Sequence, residues 1–173
     1  PDQSSAASDV YKRQHYDQDK KWLKESIDKT VDLGSTDLVT IFPESSLGIN
    51  PDTPINWISG FIRKNENKFF NSLKYNGYIY DKKILVPFGE YFPFSNILVK
   101  YFPNNPLIQS SLTKGKNEQE FPSNITPLIC YEVIFPSFVR SGVSKETDLL
   151  VNISNDAWFG KFSGPKQHFV QAW

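Results

Sequence analysis

The sequence predicts an α/β fold, in which buried strands alternate with helices. Residues 38–42, 126–130 and 148–154 are short runs rich in β-branched and other apolar side chains, which is typical of buried strands. Amphipathic or capped segments lie between and around these runs and predict helices. These segments are residues 17–33, with Gly34 as a C-cap, 95–102, 135–143, and a last helix opened by Pro165.

The middle of the chain predicts an antiparallel arrangement. Residues 56–64 and 68–76 are predicted to be two strands joined by a polar turn, and residues 77–83 follow as a third strand. The Asn- and Lys-rich stretch 63–76 is interpreted as a solvated hairpin face. Residues 85–94 contain two prolines and one glycine, which predicts an ordered loop.

Composition excludes several classes of function. The 173 residues suit one domain, and 19 basic residues balance 19 acidic ones, so we expect no nucleic-acid partner. A single cysteine and two histidines, His15 and His168, give no disulfide and no zinc pattern, so we expect no metal and no cofactor. The sequence contains no apolar run of membrane-spanning length.

The two ends of the sequence predict a fragment of a longer protein. Residues 1–14 are polar and without pattern, and the letters DVYKRQ resemble translated adapter sequence. We therefore interpret residues 1–14 as a non-native or disordered leader and residues 15–173 as one partial domain. The final letters, KQHFVQAW, stop inside a predicted helix.

Three chemically reactive residues follow predicted strands. Cys130 ends the run TPLIC, Glu44 follows DLVTIFP, and Lys82 ends GYIYDK. Catalytic groups of α/β sheets gather at the carboxyl ends of strands. A carboxylate can take the proton of a thiol, and an ammonium group can stabilise the thiolate and an oxyanion. Taken singly, a buried core cysteine and ordinary surface charges are the commoner interpretations.

A cysteine–histidine pair is the alternative at this thiol. His168 follows Cys130 in the order of a thiol protease, but it lies on a predicted helix, where a surface or packing role is commoner. The backbone N–H of Tyr131 is a further donor candidate. Glu90 and Glu132 stand beside aromatics and prolines, where carboxylates near a thiol would raise one another's pKa.

Four longer strings resemble one known family. FPES, LVPFGEYFP, ICYEVIFP and NDAWFG followed by GPKQH are together similar to the carbon–nitrogen hydrolase (nitrilase) superfamily. Within it they resemble the apolipoprotein N-acyltransferase branch, over roughly residues 36–171. The resemblance implies a truncated αββα sandwich. It implies Glu44 as general base, Lys82 as transition-state stabiliser and Cys130 as nucleophile, with Glu90, Tyr131 and Glu132 as supporting residues.

The resemblance also implies a reaction and a location. Family members take an acyl chain from a phospholipid as a cysteine thioester and pass it to the N-terminal amine of a diacylglyceryl-cysteine apolipoprotein. Their catalytic domain faces the periplasm and is held in the bacterial inner membrane by helices that are missing from this sequence. The fragment alone is therefore expected to be inactive or poorly folded.

Two alternatives remain open at this point. One is a soluble nitrilase-type amidase that hydrolyses a small amide, and the other is a degenerate domain that only binds. Aromatic loops favour the acyltransferase, because an acyl chain needs an apolar site whereas a small polar amide does not. We expect Phe88, Trp158 and Phe159 to contact substrate.

Overall fold

The computed structural model describes residues 39–101, 111–155 and 164–172. The chain folds as two compact units. The larger unit contains Ile41–Val86 and Leu112–Trp173, and the smaller unit contains Pro1–Thr40 and Pro87–Ser111. The predicted helix at residues 17–33 lies outside the described residues.

A four-stranded sheet has the order β1-β2-β3-β4. Its strands are β1 (Thr40–Ile41), β2 (Trp57–Asn65), β3 (Lys68–Tyr75) and β4 (Tyr78–Asp81). The pairs β2–β3 and β3–β4 are antiparallel. Asn76 and Gly77 connect β3 to β4 with φ values of 51° and 84°, and two positive φ values are what a two-residue type I′ turn requires.

A second sheet pairs β5 (Ile125–Ile129) with β6 (Leu149–Ile153) in parallel. Parallel neighbours need a crossover connection. A 3₁₀ turn (Cys130–Ile134) and helix α2 (Pro136–Gly142) provide it, and Pro136 opens α2. Helix α3 (Gly164–Ala172) follows β6 in the larger unit.

The core of the larger unit contains side chains from both sheets, so the two sheets pack on each other. Its members are Ile58, Leu73, Tyr80, Ile125, Ile129, Cys130, Val151 and Ile153. The predicted α/β class is confirmed. Strand β1 corrects one expectation: it has only two residues, and Val39 and Ile41 are about half exposed. Leu149 and Leu150 of β6 are exposed as well, because within the described residues both strands lie at sheet edges.

The smaller unit contains the proline-rich loop and one short helix. Residues 87–94 of the predicted loop lie in this unit, and Pro87 and Tyr91 make an isolated bridge. Helix α1 (Ser95–Tyr101) follows, as the sequence predicted. No helix in the described part of the chain is both long and apolar enough to span a membrane.

Candidate active site

Glu44 is held by the loop after β1. Its side chain is buried, and the backbone before it is fixed by a hydrogen bond from Phe42 N–H to Ile58 O of 2.8 Å. Gly60 of β2 permits this close approach, since a Cβ at Gly60 would lie 2.3 Å from Pro43 O and 2.7 Å from Glu44 Cα. The glycine therefore allows the loop to bring the carboxylate over the sheet.

Lys82 follows β4 directly and is almost wholly buried, with 1% of its surface exposed. Its backbone N–H donates to Asn71 O at 2.8 Å, and its carbonyl accepts from Gly115 N–H at 2.9 Å. Its Nζ lies 3.3 Å from Glu44 Oε1. A buried ammonium group needs such a partner, because an unpaired charge in this position would be strongly destabilising.

Cys130 begins the 3₁₀ turn and does not lie within β5, where the sequence analysis placed it. Its φ of 51° is in the left-handed region, which costs a residue with a side chain about 1–3 kcal/mol. The sharp turn directs the thiol out of the strand. Glu44 and Lys82 lie close enough to the thiol for their charges to shift its pKa. The structure thus brings Glu44, Lys82 and Cys130 into one cluster.

The thiol is protonated in this environment. Burial and, after it, the charge of Glu44 raise the pKa of Cys130 to about 12, although the nearby Lys82 ammonium group and the Ser154 hydroxyl oppose the rise. A thiol is a weak nucleophile compared with its thiolate. Attack by Cys130 near neutral pH would therefore require a base, and Glu44 is the carboxylate whose charge acts on the thiol.

Glu132 is fully buried and joins the segments that carry Lys82 and Cys130. Its Oε1 accepts backbone N–H groups of Lys83 and Ile84, and its Oε2 accepts Ile129 N–H at 2.9 Å. Tyr80 donates its hydroxyl to the same carboxylate at 3.0 Å. Burial raises the pKa of Glu132, and these hydrogen bonds oppose the rise. The carboxylate connects the chain after Lys82 to the residue before Cys130.

The other predicted site residues are Tyr131, Glu90, Phe88, Trp158 and Phe159. Tyr131 is half-buried and packs edge-to-face on Phe135, with ring centroids 5.0 Å apart. Glu90 and Phe88 belong to the smaller unit, where Phe88 is 72% exposed, and their roles at the site stay predictions. Trp158 and Phe159 lie outside the described residues.

Four residues near the cluster were missed or assigned another role by the sequence analysis. Asn71 Nδ2 donates to Glu44 Oε1 at 2.6 Å, and Asn155 N–H donates to Glu44 Oε2 at 3.1 Å. His168 Nδ1 lies 3.5 Å from the hydroxyl of Ser154, which follows β6. The stretch 63–76 is not a solvated face throughout, because Asn71 is 1% exposed. Asn71 and Leu73 are two residues apart on one strand, so their side chains point to the same face. The apolar Leu73 was therefore the available sign that Asn71 is buried.

The arrangement suits nucleophilic catalysis by a thiol. The Lys82 ammonium group lies 3.3 Å from the Glu44 carboxylate, and both charges act on the buried thiol. A carboxylate, an ammonium group and a thiol are the groups that could serve as base, oxyanion stabiliser and nucleophile. Within residues 39–101, 111–155 and 164–172, no group of three or more His, Cys, Asp or Glu side chains is placed to hold a metal ion.

Comparison with known proteins assigns the family. Residues 38–172 match the family described as carbon-nitrogen hydrolase. The chain belongs to the carbon–nitrogen hydrolase family. The match includes the whole described cluster, and it agrees with the predicted α/β class and with the resemblance noted in the sequence.

The most similar relatives share one name. The apolipoprotein N-acyltransferase of Rickettsia prowazekii is 45% identical over 110 residues, which are 62% of this chain and 20% of that protein. The apolipoprotein N-acyltransferase of Wigglesworthia glossinidia brevipalpis is 38% identical over 152 residues, which are 84% of this chain and 28% of that protein. The apolipoprotein N-acyltransferase of Pseudomonas syringae pv. tomato is 38% identical over 116 residues, which are 63% of this chain and 23% of that protein. The chain thus spans 20–28% of these relatives' length.

Proposed function

We propose that this chain is the catalytic part of an apolipoprotein N-acyltransferase. The observation that carries the proposal is the buried ion pair of Glu44 and Lys82, whose charges act on the thiol of Cys130, in a chain similar to proteins of that name. The proposed reaction moves an acyl chain from a phospholipid, through a thioester on Cys130, to the N-terminal amine of a diacylglyceryl-cysteine apolipoprotein.

In the first half-reaction, Glu44 takes the proton of the Cys130 thiol. The sulfur attacks the ester carbonyl carbon of the phospholipid and forms a tetrahedral oxyanion, which the Lys82 ammonium and the backbone N–H of Tyr131 stabilise. Collapse of this intermediate breaks the ester C–O bond. The departing alkoxide of the lysophospholipid takes the proton from Glu44, and the acyl group remains on sulfur.

In the second half-reaction, the N-terminal amine of the apolipoprotein attacks the thioester carbonyl. Glu44 accepts the proton that the amine loses, and the C–S bond breaks as the amide forms. The leaving thiolate is stabilised by Lys82 and recovers the proton from Glu44. The cycle consumes one acyl ester and one amine and returns the free thiol.

The remaining residues have supporting parts in this proposal. Glu132 positions the backbone on either side of the cluster, through the hydrogen bonds described above. Glu90 supports the loop that carries it, and Phe88, Trp158 and Phe159 contact the acyl chain. The proposed location is the bacterial inner membrane, with the catalytic domain facing the periplasm and membrane contact made by segments outside this chain.

The test is acyl transfer in vitro. The full-length protein that contains this chain, in detergent with a phospholipid of defined acyl composition, is expected to N-acylate a synthetic diacylglyceryl-cysteine peptide. Cys130→Ala, Glu44→Gln and Lys82→Met are each expected to abolish product measured by mass spectrometry. Product formation by Cys130→Ala would refute the thioester route. Release of free fatty acid without peptide product would favour an amidase-like hydrolase, which the relatives named above do not support.

A further inference from the structure

Asn71 is a buried polar side chain that the proposed chemistry does not yet use. It lies on β3, which pairs with β2 on one side and with β4 on the other, so its backbone is fixed on both sides. Asn71 itself is 1% exposed. An amide buried at this depth must be hydrogen-bonded, and its partner here is the carboxylate of Glu44, with Nδ2 2.6 Å from Oε1.

The same residue contacts Lys82 through its backbone. Asn71 O accepts the Lys82 N–H at 2.8 Å, and Asn71 Oδ1 lies 3.5 Å from Ser45 Oγ, beside Glu44 in sequence. One residue of a central strand therefore touches both charged members of the cluster. The side chain of Asn71 orients the carboxylate of Glu44. Its carbonyl oxygen holds the backbone N–H of Lys82 in place.

The donors on Glu44 leave room for the thiol proton. A carboxylate has roughly four acceptor sites. Among the described residues, Asn71 and Lys82 donate to Oε1 and Asn155 N–H donates to Oε2. With these three donors in place, an acceptor site remains available for the thiol proton of Cys130. Loss of the Asn71 donor would free the carboxylate to turn toward Lys82 and away from the sulfur.

From these contacts we infer that Asn71 is a positioning residue that aims the Glu44 carboxylate at the thiol of Cys130. The inference rests on the proposed function, because it assumes that Glu44 is the base. Asn71 touches Glu44 and does not act on substrate. Its removal should therefore slow the chemical step without changing the affinity for the acyl donor.

The test is single-turnover acylation of Cys130 by phospholipid, followed by intact mass in the full-length protein. Asn71→Ala is expected to lower the maximal rate roughly 10- to 100-fold, since a well-placed general base contributes about 10²- to 10⁴-fold. The phospholipid concentration that gives half the maximal rate should stay within about twofold. An Asn71→Ala maximal rate within twofold of the wild type would overturn the inference.

Asn71→Asp separates positioning from space filling. Aspartate has the shape of asparagine, so a purely structural role predicts that it is the milder change. Positioning predicts the reverse, because a second carboxylate within 3 Å of Glu44 repels it or shares its proton. We expect Asn71→Asp to acylate at least tenfold more slowly than Asn71→Ala, and an Asp variant faster than Ala would contradict the inference.

Ser72→Ala is the matched control. Ser72 is the next residue and is equally buried, but its side chain lies on the opposite face of the strand, where it donates to Asp81 Oδ1 at 2.7 Å. Its rate should stay within about threefold of the wild type. Thermal melting reports folding in every variant. If the Ala and Asp variants unfold, Asn71→Ser is measured instead. The serine hydroxyl is too short to reach Glu44 Oε1, so we expect the acylation rate to fall about tenfold. A wild-type rate would overturn the inference.

Alkylation of Cys130 by iodoacetamide separates failure of this inference from failure of the proposed function. Alkylation needs the thiol proton to be removed but needs no acyl donor. If the wild-type protein takes no acyl group from phospholipid, the proposed function fails. The charge of Glu44 raises the pKa of the Cys130 thiol, so a carboxylate that turns away leaves more thiolate, and faster alkylation of Asn71→Ala than of Ser72→Ala would still support the positioning role. Equal alkylation rates in these two variants would refute it.

Discussion

Replacing Glu132 by glutamine tests the buried carboxylate that joins the two halves of the site. The glutamine keeps the shape, and its oxygen can still accept from Lys83 and Ile84. Its Nε2 then faces Ile129 N–H, so that a buried donor loses its acceptor, at a cost of about 1–3 kcal/mol. The two remaining backbone bonds lose their charge assistance, at about 0.5–1 kcal/mol each. The expected loss in the free energy of unfolding is about 3 kcal/mol.

For a domain of this size, about 3 kcal/mol corresponds to a fall in the melting temperature of about 6–12 °C. The assay is thermal unfolding of the full-length protein, with Glu146→Gln as control because Glu146 is an exposed glutamate of the same unit. Glu132→Gln should also slow acyl transfer while Cys130 still forms a covalent adduct. A melting temperature within about 1 °C of the control, or adduct formation lost as completely as in Cys130→Ala, would refute the reasoning.

Two further predictions concern the thiol and the glycine beneath Glu44. The pKa of Cys130 is raised to about 12, so the thiolate fraction is small at neutral pH. The rate of alkylation by iodoacetamide should therefore rise about tenfold per pH unit from pH 7 to 10. A plateau below pH 9 would contradict this. Gly60→Ala should destabilise the fold and abolish acylation, because its Cβ would collide with backbone atoms 2.3 Å and 2.7 Å away. Gly77→Ala, which meets nothing within 4 Å but has φ 84°, should cost only about 1 kcal/mol, and equal melting temperatures for the two variants would contradict the prediction.

Local rules predicted the strands around the site well. The runs 56–64, 68–76 and 77–83 predicted β2, β3 and β4, and the polar turn between the first two runs predicted their hairpin. The apolar run before Cys130 likewise predicted β5. Burial was predicted less well, because it depends on neighbours in space: Ile41 and Leu149 are apolar but lie in strands with an uncovered edge.

The contacts of the site were predicted in part. Strand ends singled out Glu44, Lys82 and Cys130, because side chains that follow neighbouring strands meet in space. The structure places Lys82 Nζ 3.3 Å from Glu44, and the catalytic roles of all three stay predictions. The polar composition of residues 63–76 wrongly predicted that Asn71 is exposed. Side chains two residues apart on a strand share a face, so buried Leu73 was the better guide to Asn71. The backbone N–H of Asn155 has no signal in the sequence, since every residue other than proline has one. The left-handed φ of Cys130 was equally invisible, because a cysteine does not favour that conformation.

The lifetime of the acyl group on Cys130 tests the central claim most directly. The full-length protein is loaded with phospholipid, freed from excess donor, and followed by intact mass with and without a diacylglyceryl-cysteine peptide. A transferase must keep water from the thioester until the amine arrives. We predict that the acyl mass persists in buffer, is lost on addition of the peptide amine, and never appears on Cys130→Ala. Rapid loss of the acyl mass in buffer alone, or no acyl mass on the wild-type protein, would contradict the claim.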